Sequence, residues 1–65
     1  MRVDIPNTQY DIKISYGVKG NFCCYAQIWD GPKKIGPFFR GRGGSREEKQ
    51  EDSIKQAMKY FEEHL

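Results

Sequence analysis

Cysteine, histidine and tryptophan are scarce in this chain, and long apolar runs are missing altogether. The only two cysteines, Cys23 and Cys24, are adjacent. Adjacent side chains in a strand point to opposite faces, so this pair cannot staple distant segments together. A secreted domain this small usually carries several disulfides, so the expected setting is the reducing cytoplasm. One histidine, the penultimate His64, and no second cysteine pair argue against a zinc site or any other metal centre. No apolar run approaches the ~18 residues of a membrane span or resembles a signal-peptide core, and no membrane partner is expected.

The same scarcity argues against catalysis. His64 lies where chain ends commonly fray. Neither cysteine has an evident base nearby, and Cys24 falls on the core face as a small hydrophobe. The carboxylates crowd one helix, as on an ordinary solvated surface. At 65 residues the chain is one small domain, with a thin core and little protein for a deep cleft. A non-enzymatic protein without cofactors is expected. Lacking disulfide and metal, a chain of this size often gains stability by oligomerising, so a homodimer is one expectation.

What is present is clear patterning. Residues 1–7 end in the turn signal Pro6-Asn7 and form either a short edge strand or a loose arm. Over residues 8–16, Tyr10, Ile12, Ile14 and Tyr16 alternate with polar residues, which predicts a half-buried strand. Gly17–Asn21 supplies a five-residue hairpin loop. In the second strand, 22–29, one face reads Phe22, Cys24, Ala26, Ile28 and the other Cys23, Tyr25, Gln27, Trp29. After the Asp30-Gly31-Pro32 turn, a third strand over 33–40 points Ile35 and Phe39 inward and Lys34, Phe38 and Arg40 outward. Its Pro37 cannot donate to a ladder and places it at an edge. Gly41–Gly44 is a glycine-rich, flexible link. Ser45 and Glu48 form a capping-box pattern that opens a helix over 45–64. Ile54, Ala57, Met58, Phe61 and Leu65 make its buried stripe. Residues 46–53 contain no apolar residue, so the first two turns are expected to project beyond the sheet. The predicted fold is α+β: a three-stranded antiparallel meander packed on one C-terminal helix, β-β-β-α.

Charge is divided along the chain. Residues 1–46 hold eight basic and three acidic residues, net +5, whereas residues 47–65 hold three basic and six acidic, net −3. The densest basic patch is 31–46, with Lys33, Lys34, Arg40, Arg42 and Arg46 and no acid. Such a split suggests an anionic partner. Tyr25, Trp29 and Phe38 share the outward face with Lys13, Lys34 and Arg40. Rings interleaved with cations on an open sheet can stack bases and hold phosphates. The stretch Gly41–Ser45 before a helix offers amides to a phosphate, yet it lacks the Gly-Lys-Ser/Thr ending of a nucleotide-binding loop. The expected partner is therefore DNA or RNA, bound through Lys33, Lys34, Arg40, Arg42, Arg46, Tyr25 and Trp29. The alternatives are a protein-interaction module or a homodimer that buries the same aromatic face.

Residues 22–65 resemble the βββα portion of a double-stranded-RNA-binding domain. That family carries Gly-x-Gly-x-Ser-Lys-Lys-x-Ala-Lys ahead of its helix. This chain reads Gly41-Arg42-Gly43-Gly44-Ser45-Arg46-Glu47-Glu48-Lys49-Gln50. Ser45 and Arg46 match, while Glu47 and Gln50 stand where the family has phosphate-binding lysines, and the family's first helix is absent. The β-β-β-α order is also similar to plant AP2-type and integrase arm-type DNA-binding domains, through Tyr25–Gly31 and Ile35-Gly36. It is likewise similar to the partial dsRNA-binding-like fold of HicB-type antitoxins, which implies a protein toxin as partner; the alternative protein-interaction module is thus antitoxin-like or phage-encoded.

Overall fold

The structure is a computed structural model that describes residues 1–17 and 22–65. Its elements in chain order are β1 (Arg2–Asp4), β2 (Tyr10–Gly17), β3 (Cys23–Asp30), β4 (Lys33–Arg40) and α1 (Arg46–His64). The expected loop over 17–21 lies outside the described residues beyond Gly17. All strands pair antiparallel in the order β1-β2-β3-β4. The α+β class is as expected, but the sheet of the described residues has four strands rather than three.

The additional strand is the N-terminal segment. Val3 pairs with Ile12, and the Ile14 amide donates to the Met1 carbonyl at 2.8 Å. Pro6 and Asn7 occupy the centre of a tight turn, with Asn7 at a positive φ of 63° that asparagine tolerates. The Thr8 hydroxyl and amide both donate to the Ile5 carbonyl, at 2.8 and 3.3 Å. This closure swings Ile5 into the core, where it is buried.

Alternation sets the register of the central strands: Ile12 faces Ile28 and Ile14 faces Ala26. With Cys24 and Ala57 these residues are buried, and Phe22, Ile35, Phe39, Ile54, Met58 and Phe61 pack against them. Gly31, at φ 59°, supplies the positive φ that a two-residue hairpin between Asp30 and Lys33 needs. β4 is an edge strand and carries a bulge. Ile35 pairs with Ile28 and Phe38 with Gln27, so Gly36 and Pro37 are inserted between them. Two extra residues preserve the alternation, which keeps Phe39 inward and Phe38 outward.

The helix begins where expected. The Ser45 hydroxyl accepts from the Glu48 amide at 3.1 Å, and the Glu48 carboxylate reaches back to the Gly44 amide at 3.3 Å. Its first turns do not project beyond the sheet. Ser53 is fully buried, 3.5 Å from the Cys24 thiol; Lys49 donates to the Phe22 carbonyl at 2.8 Å; and the Tyr16 hydroxyl donates to Gln50 at 2.7 Å. Small and polar residues thus dock the turns that lack apolar ones. Leu65 caps the helix through its amide and is half exposed, so it leaves the predicted stripe. The 41–44 link is tied down as well. The Gly41 amide donates to the Cys24 carbonyl at 2.8 Å and the Arg42 amide to Asp52 at 2.8 Å.

Candidate nucleic-acid interface

α1 covers one face of the sheet, and among the described residues no element covers the other. Alternation brings Asp11, Lys13 and Ser15 from β2, Tyr25, Gln27 and Trp29 from β3, and Lys34, Phe38 and Arg40 from β4 to that open face. Across the β3–β4 ladder Trp29 pairs with Lys34, Gln27 with Phe38, and Tyr25 with Arg40. The Lys13 ammonium sits 3.8 Å from the centre of the Trp29 ring, and that of Lys34 sits 5.7 Å away. Tyr25 and Phe38 meet edge to face with centres 5.4 Å apart. Phe38 is 62% exposed. Lys13, Ser15, Tyr25, Gln27, Trp29 and Phe38 line a shallow depression of about 430 Å³.

The charge of this face is set by which cations are neutralised. Arg2 pairs with Asp11 at 2.9 Å. Among the described residues, no carboxylate lies within ion-pair distance of Lys13, Lys34 or Arg40. Gln27 donates to the Gly36 carbonyl at 3.1 Å, which anchors its amide to the β4 bulge. Sequence reasoning placed Gln27 on this face but missed the anchor. The signal was Gly36-Pro37 inside a strand, a pair typical of bulges.

Of the residues expected to bind, Tyr25, Trp29, Lys34 and Arg40 come together. Lys33 pairs with Asp30 at the hairpin tip, and alternation assigns it to the opposite side of β4. Arg42 lies beyond the end of β4 and shares a hollow with Arg40, Lys49 and Gln56. The Arg46 guanidinium rests 4.9 Å over the Phe22 ring, in a hollow shared with Glu47 and Glu51. The link offers no open amide cradle at Arg42 or Gly44, because both amides are donated to the protein's own carboxylates. Asp52 in particular is held below its ordinary acidity range. The Arg42 amide contributes most, followed by the Gln56 side chain at 2.7 Å.

The groups considered for catalysis lie apart. His64 packs against the Tyr60 ring at 4.4 Å at the helix end, and the buried Cys24 thiol faces Ser53. Among the described residues no helix is long and apolar enough to cross a membrane. Comparison with protein-family models, with curated proteins and with solved structures found no match to this chain.

Proposed function

We propose that this protein is a small, non-enzymatic nucleic-acid-binding module of the cytoplasm that uses the open face of its sheet. One observation carries the reading: Tyr25, Trp29 and Phe38 share that face with Lys13, Lys34 and Arg40, none of which has a carboxylate of the described residues within ion-pair distance, while Asp11 on the same face is paired with Arg2. Rings offer stacking surfaces and cations meet phosphates. In this reading the sheet carries the contact and Arg42 extends it around the end of β4. The helix start, through which the resemblance to double-stranded-RNA-binding domains would act, carries Glu47, Glu48, Glu51 and Asp52 and repels phosphate. Fluorescence anisotropy of a labelled oligonucleotide, titrated at several salt concentrations, tests the proposal. Affinity that falls as salt rises supports it, since each neutralised phosphate releases counterions. Absence of binding at low salt removes it.

The exposure of Phe38 at the sheet edge favours a second reading. An apolar ring left in water at this position suits a protein partner or a second copy of the chain. A mass that rises with concentration, without any response to oligonucleotide, would favour that alternative.

A further inference from the structure

Each end of the open face pairs a ring with a cation. Trp29 lies directly across the β3–β4 ladder from Lys34, and Tyr25 lies directly across from Arg40. Phe38 packs edge-on against Tyr25 and enlarges that second ring site. Trp29 and Tyr25 are four residues apart on the same side of one strand, roughly 13 Å. Gln27, held by the Gly36 carbonyl, stands between them.

A duplex is poorly matched to this arrangement. Its base faces are hidden in the stack, and its grooves show only base edges, which are read by hydrogen-bonding groups. Between its cations this face presents three rings, with the Gln27 amide turned to the Gly36 carbonyl and Asp11 paired with Arg2. A single strand exposes base faces to rings while its phosphates remain available to cations. Resting on the nucleic-acid reading above, we infer that the occupant is a single-stranded segment of about three to five nucleotides, the ~13 Å between ring sites being about four steps at the ~3.4 Å duplex spacing and fewer in an extended strand. One base stacks on Trp29 and another on the Tyr25–Phe38 pair. Lys34 and Arg40 meet the phosphates beside them. Lys13, now 3.8 Å from the Trp29 ring, moves aside for the base and joins the backbone contacts.

The test compares a short thymidine oligomer, a uridine oligomer, a blunt duplex and an abasic oligomer of equal length, each titrated at low salt. Emission from Trp29, the only tryptophan, reports stacking directly. The wild type is expected to bind at least one base-bearing single strand about tenfold or more tighter than the duplex and the abasic strand, with quenching. Trp29→Ala and Tyr25→Ala should each weaken that binding by about 5- to 150-fold. Trp29→Phe, which keeps a ring, should retain most of it and guards against misfolding as the cause. Duplex or abasic strand bound as tightly as the base-bearing strands overturns this inference and leaves the nucleic-acid reading standing. No binding to any of the four overturns both.

Discussion

The Gly41 α-carbon is pressed against the helix backbone: a β-carbon there would lie 1.6 Å from the Lys49 carbonyl oxygen. Neither group is a flexible side-chain end, so the contact can be relieved only by moving α1 or the end of β4. It is this absence of a side chain that lets the polar first turns of the helix dock on the sheet. Gly41→Ala should therefore cost at least ~1–3 kcal/mol, a large part of a domain whose total lies near ~5 kcal/mol. In a chain this short each kcal/mol lowers the melting temperature by about 4–8 °C. Gly44, with nothing within 4 Å of its β-carbon position, is the control. Equal melts for Gly41→Ala and Gly44→Ala would contradict this packing.

Ile28 should be the most sensitive apolar position. It is fully buried and pairs with Ile12 on one side and Ile35 on the other. Truncation to alanine leaves a cavity at the centre of a thin core and typically costs ~2–5 kcal/mol. Ile28→Ala should be largely unfolded by circular dichroism at room temperature. A cooperative melt within a few degrees of wild type would mean that the register is wrong.

Acid should loosen the join between β4 and α1. Asp52 accepts from the Arg42 amide and from Gln56, which also donates to the Arg40 carbonyl at 2.7 Å. Its folded-state pKa is held below the ordinary 3.8. A depressed carboxyl pKa gives stability that is fully present above the unfolded value and is lost as pH falls through the folded one. Wild type should melt higher than Asp52→Asn near neutrality, with the gap closing below pH 3.8. A gap that stays constant into strong acid would contradict this role.

Salt dependence should reveal which cations bind. If Lys13, Lys34 and Arg40 carry the phosphate contacts, the slope of log K against log salt for single strands should be about −2, since each contact contributes about 0.7. Lys34→Ala with Arg40→Ala should flatten it to below about half. Arg46→Ala, whose guanidinium rests on Phe22 beside Glu47 and Glu51, should leave it unchanged. A steeper slope that depends on Arg46 would move the interface to the helix start.

Alternation made the central strands and the two sheet faces legible in the sequence, because β2 and β3 bury one side and expose the other. The cap at Ser45 and the stripe from Ile54 to Phe61 marked the helix equally well. The role of residues 1–7 stayed open, because a three-residue strand leaves almost no periodic signal and its pairing depends on the turn at Pro6-Asn7. Docking of the first helical turns was hidden for a different reason. Ser53, Lys49 and Gln50 read as surface residues, yet the close approach at Gly41 and their bonds to Cys24, Phe22 and Tyr16 hold them on the sheet. The charge count over 31–46 likewise grouped Lys33, Arg42 and Arg46 with Lys34 and Arg40. Strand alternation turns Lys33 to the other side of β4 and the helix start holds Arg46 over Phe22, whereas Arg42 stays beside Arg40.

Amide chemical-shift mapping during titration with a single-stranded oligonucleotide at low salt tests the central claim most directly. Progressive shifts are expected for the Trp29 indole and for Lys13, Tyr25, Gln27, Lys34, Phe38 and Arg40, with the outer face of α1 at Glu47 and Glu51 unmoved. Shifts confined to α1, or none at all with millimolar protein, would contradict it.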